Sequence, residues 1–131
     1  MSDITWVIVA DGGRARVFQT QGIALDLQEI DDLVNTEGSG TGLTDKEAEV
    51  LDSNERKEKL EAKFSKRVAE YLEQGRSHQK FHRLIIAAAP KFLGMVRGDL
   101  SEETRRLIFE QVSEDFSELS VDEIQTRLKK A

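Results

Sequence analysis

The chain contains no cysteine, which excludes disulfide bonds, thiolate metal sites and a cysteine nucleophile. Histidine is scarce as well, since His78 and His82 are the only two, and a zinc site needs more ligands than these. Long apolar runs are also missing. The longest, Leu84–Pro90, is far shorter than the roughly 18 residues that a membrane-spanning helix needs. The first residues have neither the basic start nor the apolar stretch of a signal peptide, which predicts a cytoplasmic protein without membrane contact.

The composition is that of a globular protein with a heavily charged surface. The 131 residues, 38% hydrophobic and 34% charged, predict one domain over residues 1–131. A net charge of −6 argues against a general nucleic-acid coat protein, because such proteins are usually basic. The charge is uneven, since the stretch from Arg76 to Arg97 has five Lys or Arg, both histidines and no acid. This acid-free stretch is a candidate for a partner-binding surface.

Three strands are predicted at the beginning of the chain. Ile4–Ala10 is almost wholly apolar and rich in β-branched residues, as in a strand buried on both faces. Asp11–Gly13 then favours a tight turn, in which the glycines supply a positive φ. Arg14–Thr20 predicts a second strand, and the alternating apolar residues of Ile23–Ile30 predict a third. Together these strands form an antiparallel meander.

A long mobile loop is predicted in the middle of the chain. Asn35–Ser53 has three glycines within Gly38–Gly42 and then mixed charge, and its length favours a segment that is either functional or disordered. A capping box that begins at Asp52 opens a helix to about Gln74, with Gly75 as the C-cap.

Strands and helices alternate in the last part of the sequence. Phe81–Ala89 is a nearly all-apolar strand of the kind found inside a parallel sheet, and Pro90 opens a short helix. Leu107–Val112 predicts a fifth strand, although its apolar spacing also fits a helical face. A second capping box, Ser120-x-x-Glu123, begins the final helix.

These elements predict a ribonuclease H-like α/β fold. A meander followed by α/β crossovers has few right-handed arrangements, and the simplest places strand four beside strand one and parallel to it. The expected sheet is five-stranded and mixed, in the order 3-2-1-4-5, with three or four helices.

This topology predicts a crevice where strands one and four end. Ligands of open α/β sheets bind outside the carboxyl ends of the strands, where the turn after strand one and the helix after strand four would meet. Free backbone amides, a helix N-terminus and nearby cations are typical of an anion site. The alternative is that the glycines only form a hairpin and the lysine is solvated. The candidate anion- or partner-binding residues are Asp11, Gly12, Gly13, Arg14, Pro90, Lys91 and Arg97.

A catalytic centre is the weaker interpretation of this crevice. A ribonuclease H-type nuclease needs three or four carboxylates that converge on two metal ions. Asp11 is the lone acid nearby, and strand four ends in Ala87–Ala89 without one. Asp11 is therefore predicted to be a turn residue bonded to its own backbone. The sequence predicts no catalytic residue, no metal site and no cofactor.

Three blocks of the sequence resemble the bacterial host attachment protein family. They are Trp6–Phe18 (WVIVADGGRARVF), Phe81–Arg97 (FHRLIIAAAPKFLGMVR) and Glu114–Ser120 (EDFSELS). That family, named for a role in attachment to host cells, is in turn similar to the ribonuclease H-like middle domain of archaeal and eukaryotic peptide-chain release factors. The Gly-Gly-Gln loop of those factors is absent here, so peptide release is not implied. The similarity to those factors adds a role that faces the ribosome or RNA as an alternative to the adhesion role.

Three functions are open on this evidence. The first is a non-enzymatic cytoplasmic binding module that engages ribosome or RNA through the basic crevice. The second is a protein-interaction factor that is needed for host attachment and acts indirectly. Trp6 or the Phe92–Leu93 pair would then be exposed, although their spacing favours the core. The third is a phosphate- or nucleotide-binding enzyme at the same crevice.

Overall fold

Five strands form one mixed sheet flanked by helices, and a computed structural model describes residues 3–22, 26–35 and 53–130. The strands are β1 (Ile4–Asp11), β2 (Arg14–Gln21), β3 (Gln28–Val34), β4 (Arg83–Ala88) and β5 (Ile108–Val112). The helices in the described ranges are α1 (Ser53–Ser77), α2 (Pro90–Asp99), α3 (Glu102–Arg105) and α4 (Val121–Lys130). The strand order β3-β2-β1-β4-β5 confirms the predicted ribonuclease H-like topology.

β1 lies at the centre of the sheet because its residues are apolar on both sides. It pairs with β2 in antiparallel register, Asp11 opposite Arg14, and with β4 in parallel register, Ala10 opposite Ala88. All six residues between its two ends are buried. The predicted bounds of β1, β2, β4 and β5 hold to within two residues, and β5 is a strand rather than part of a helix.

The third strand extends further along the chain than predicted. Of the predicted segment Ile23–Ile30, residues 23–25 lie outside the described residues, residues 26–27 precede the strand, and β3 runs from Gln28 to Val34. Leu27 is buried in the core, and its backbone N–H donates to the side chain of Gln125 at 2.7 Å. β3 itself is a polar edge strand, and its register against β2 shifts between Val17 and Phe18. Most side chains of this edge strand are exposed, so its sequence lacks the alternation of apolar and polar residues by which a strand is predicted.

The turn between β1 and β2 forms as predicted, but for a different reason. Neither Gly12 nor Gly13 has a positive φ, whereas Gly22 does, at +56°. A Cβ on Gly12 would lie 2.7 Å from Cγ of Glu61 on α1, so the side chain of Glu61 occupies the space beside this glycine. At Gly13 the nearest atom would be Asp11 Oδ1 at 3.5 Å, an ordinary contact.

The two faces of the sheet are covered by different helices. One core cluster joins the sheet to α1 and α2 and includes Trp6, Phe92 and Leu93, which are 3%, 3% and 7% exposed. A smaller cluster joins the other face to α4 through Phe116 and Ile124. These burials confirm that Trp6 and the Phe92–Leu93 pair belong to the core, so none of them provides an exposed apolar interaction surface.

Gly75 does not end α1, contrary to the C-cap prediction, because the helix continues to Ser77. A Cβ on Gly75 would lie 2.7 Å from the Trp6 ring, so the glycine lets the helix approach the sheet. Gln79, two residues after the end of the helix, has a φ of +57° and stops its continuation. The N–H groups of Gln79 and Lys80 donate to the carbonyls of Arg76 and Gly75, which is the Schellman arrangement. The predicted mobile loop at 35–53 lies almost wholly outside the described residues. Asp52, which was predicted to begin the capping box of α1, lies outside them as well.

The capping box at the start of α4 is confirmed. Glu123 N–H donates to Ser120 Oγ, and Ser120 N–H donates to the Glu123 carboxylate, both at 3.2 Å. Pro90 is likewise at the first position of α2, as predicted.

Ser120→Ala is expected to lower the free energy of unfolding by about 1 kcal/mol, because the N–H of Glu123 loses its acceptor. Urea unfolding monitored by Trp6 fluorescence measures this change. Ser113→Ala, an exposed serine outside the helix, serves as the control. Equal midpoints for the two variants would show that the cap contributes nothing.

Candidate functional site

The predicted crevice forms where β1 and β4 end side by side. Because Ala10 lies opposite Ala88, the turn that follows β1 is next to the start of α2. Pro90 and Lys91 are exposed in the first turn of that helix, and Arg97 is exposed near its end. The topology thus places the two predicted segments at the same edge of the sheet.

Asp11 is a turn residue, as predicted. Its Oδ1 accepts the N–H of Gly13 at 2.7 Å, and its Oδ2 accepts the hydroxyl of the buried Ser117 at 2.9 Å. The carbonyl oxygens of Gly12 and Gly13 accept the side-chain and backbone N–H of Asn35. The Gly13 amide is therefore already occupied and is not offered to an anion.

Arg14 is held by an acid on the neighbouring strand. Its Nε and Nη2 donate to the two carboxylate oxygens of Asp32, at 2.9 and 2.7 Å. This hydrogen-bonded pair raises the pKa of Arg14 and lowers that of Asp32. Arg14 shares its sheet face with Arg16, whose Nη1 donates to the Leu119 carbonyl beside α4. Arg14 therefore belongs to the face that α4 covers.

Lys91 belongs to the opposite face, beside α1. Its Nζ lies 2.9 Å from the carboxylate of Glu58, and this hydrogen bond raises the pKa of Lys91. The two side chains are 59% and 63% exposed, so water reaches both. Glu61, also on α1, covers Gly12. The structure therefore separates Lys91 from Arg14. The acids that meet them, Glu58 and Asp32, have no local pattern that would have predicted these pairs.

The acid-free stretch of sequence is not free of acids in space. Arg76 is within 3.4 Å of Glu73 and 3.3 Å of Glu103, and Arg83 is 3.4 Å from Asp3. These acids come from α1, from α3 and from the segment before β1. Among the described residues, Lys80 and Arg97 form no ion pair. Arg97 is thus the cation of the predicted site that keeps its full charge exposed.

Charge is nevertheless distributed unevenly over the surface. Together α1 and α2 have nine Lys or Arg and six Asp or Glu, whereas residues 26–35 have four acids and no base. The exposed side of α2 also has Gly94 and Gly98, where a Cβ would meet no atom within 4 Å. Lys91 and Arg97 were among the predicted site residues, whereas Gly94 and Gly98 on the same helix were not, although both glycines can be read from the sequence.

Neither histidine belongs to a metal-binding cluster within the described ranges. His82 Nδ1 accepts the N–H of Ile4 at 3.0 Å, and His78 Nδ1 lies 2.8 Å from the Gln74 carbonyl. Within the same ranges no helix is both long and apolar enough to cross a membrane.

Comparison with known proteins identifies the family. The sequence model for proteins required for attachment to host cells matches residues 6–128. The chain belongs to this host attachment family. No curated protein matches the chain.

Two solved structures share the fold of this family member. One is an archaeal translation termination factor and the other an archaeal protein, each with a TM-score of 0.51 and 12% sequence identity. Each comparison covers 97% of this chain but only 37% and 40%, respectively, of the other. The chain thus spans about two fifths of those proteins. The predicted similarity to release factors holds for the fold.

Proposed function

We propose that this host attachment family member is a non-enzymatic binding protein that engages the RNA of ribosomal particles through α2. The observation that supports this most is the position of Lys91 and Arg97. Both are exposed on one short helix, and Arg97 has no acid partner among the described residues. Polyanions bind to such cations by releasing counterions.

Lys91 is available to a phosphate despite its ion pair with Glu58. Exposed ion pairs contribute little net stability, so a phosphate can replace the glutamate at small cost. Arg14 is less available, because its bidentate contact with Asp32 satisfies two of its donors. The proposed site therefore keeps Pro90, Lys91 and Arg97 from the predicted set.

The two exposed glycines of α2 support a close approach of the partner. Each costs the helix about 1 kcal/mol relative to alanine. No positive φ requires glycine at Gly94 or Gly98, and no neighbouring atom would meet a Cβ there. A helix face without side chains lets a sugar-phosphate backbone reach the cations beside it.

The fold supports a partner in translation. It is shared with an archaeal translation termination factor over 97% of this chain, although that likeness by itself concerns only architecture. A cytoplasmic protein that acts on ribosomes or RNA would affect host attachment indirectly, through what the cell synthesises. This reconciles the family description with the chemistry of α2.

Lys91→Glu/Arg97→Glu is expected to reduce co-sedimentation with ribosomes at least tenfold. The unmodified protein should migrate with ribosomal particles at low salt and leave them as the salt concentration rises. Each phosphate contact is expected to steepen the fall of the logarithm of the binding constant with the logarithm of the salt concentration by roughly 0.7–0.9. The measurement is sucrose-gradient sedimentation in lysate of the native organism at two salt concentrations.

Arg106→Glu/Lys129→Glu is the matched control, since both residues are exposed and the change in net charge is the same. Arg106 precedes β5 and therefore lies at the other end of the sheet from the crevice. Equal loss in both variants would contradict a site on α2, and a salt-independent partner would favour the protein-interaction alternative. Nucleotide turnover abolished by Asp11→Asn would favour the enzyme.

A further inference from the structure

A second concave surface lies at the other end of the sheet from α2. This groove, with a volume of about 680 Å³, runs between the start of β1, β2 and β3 on one side and the C-terminal half of α1 on the other. Its volume is within the range of binding sites for small ligands and short peptides. Its lining residues include Trp6, Gln19, Asp31, Tyr71, Gln74 and Lys80.

The floor of the groove is apolar and aromatic. Trp6 stacks on Tyr71 with 5.5 Å between ring centroids, and it also contacts Phe81 at 4.7 Å. Ile30 adds an aliphatic side chain at the rim and is 42% exposed. Trp6 and Phe81 are themselves buried, so the accessible apolar surface of the groove belongs to Tyr71 and Ile30, against which an aliphatic side chain of a ligand would pack.

Polar groups above this floor offer both donors and acceptors. Trp6 Nε1 donates to Gln19 Oε1 at 3.2 Å, which leaves the amide NH₂ of Gln19 as a donor. Gln74 offers a second carboxamide at the rim. Burial and a hydrogen bond to Asp31 raise the pKa of Tyr71 to about 12, so its hydroxyl keeps its proton at neutral pH. The two carboxamides together offer donors and acceptors that a peptide backbone can pair with.

Opposite charges mark the two ends of the groove. Asp31 is beside Tyr71, whereas Lys80 follows the end of α1 beside His78. Tyr71 and His78 are seven residues apart on the helix, or about 10 Å at 1.5 Å per residue. An extended peptide covers that distance with about three residues.

We propose that this groove binds a short extended peptide segment of a protein partner, with an aliphatic side chain between a basic and an acidic residue. The base faces Asp31, the acid faces Lys80, and the aliphatic side chain lies against Tyr71 and Ile30. This interaction is separate from the proposed RNA contact of α2.

Titration of the full chain with acetyl-Lys-Leu-Glu-amide and with acetyl-Glu-Leu-Lys-amide tests the proposal in both chain directions. Trp6 is the only tryptophan of the protein, so its emission and its indole N–H signal in NMR report on the groove directly. At least one peptide is expected to give a saturable change at millimolar concentration. Asp31→Asn and Lys80→Gln should each weaken it at least fivefold.

Asp122→Asn and Lys129→Gln on α4 are matched controls, and both should leave the binding unchanged. Lys91→Glu/Arg97→Glu should also leave it unchanged, which separates this result from the fate of the RNA proposal. The absence of saturable binding with either peptide would overturn the proposal. So would equal binding of acetyl-Lys-Ser-Glu-amide, or binding that survives the combined Asp31→Asn/Lys80→Gln change.

Discussion

Glu73→Ala is expected to lower the free energy of unfolding by about 3 kcal/mol, because Glu73 connects α1 to α3. Its carboxylate accepts hydrogen bonds from the backbone N–H and hydroxyl of Ser101, at 2.6 and 2.9 Å, and from the hydroxyl of the fully buried Thr104, at 2.7 Å. Hydrogen bonds to a charged group contribute roughly 1.5–3 kcal/mol each. The net loss is smaller than their sum, because water can form hydrogen bonds with the donors that the substitution leaves unpaired.

The same contacts make this stability dependent on pH. Burial acts to raise the pKa of Glu73, but the hydrogen bonds from Ser101, Thr104 and Arg76 outweigh it and lower the pKa below the ordinary value of 4.5. Because the pKa of Glu73 is lower in the folded state than in the unfolded state, its stabilisation is complete at pH values above the unfolded-state pKa. The stabilisation is lost as the pH falls below 4.5 and then through the folded-state pKa.

Urea unfolding of the unmodified protein and of Glu73→Gln between pH 7 and pH 3 measures this effect. The glutamine keeps an acceptor but no charge, so the difference between the two proteins should shrink as the pH falls. Glu103→Gln is the control, because Glu103 is 73% exposed and its carboxylate forms an ion pair with the same arginine, Arg76. A difference that stays constant with pH would show that the charge of Glu73 is not what stabilises this contact.

Gly75→Ala is expected to destabilise the protein by about 1–3 kcal/mol, although alanine is the better helix former. The new Cβ would lie 2.7 and 2.8 Å from two atoms of the Trp6 ring and 3.0 Å from the Phe81 ring. Both rings are buried and packed against each other, so neither can move away easily. Overpacking of this kind outweighs the propensity gain of about 1 kcal/mol.

Gly94→Ala provides the matched control for this prediction. It introduces the same atom into α2, where nothing lies within 4 Å, and should raise the stability by up to about 1 kcal/mol. The two unfolding midpoints should therefore move in opposite directions. If Gly75→Ala is also stabilising, the close approach of α1 to Trp6 is not tight enough to require glycine.

The sequence predicted most of the elements because their signals are local. The apolar runs of β1 and β4, Pro90 and the Ser120–Glu123 box each reflect the conformation of a few neighbouring residues. The rule that parallel crossovers are right-handed then fixed the strand order. The full extent of β3 was not predicted, because an exposed edge strand has little apolar pattern to reveal its position.

The sequence by itself thus determined the sheet, its order and the two segments that meet at the ends of β1 and β4. Only the tertiary structure decided which charges remain free there, because Asp32 and Glu58 come from elements distant along the chain. The structural role of Gly75 also depends on the tertiary structure. A glycine that ends a helix cannot be told by sequence from one that packs against a tryptophan ring. Spacing along a chain specifies the conformation of a segment, whereas pairing of charges and close contact depend on how segments pack.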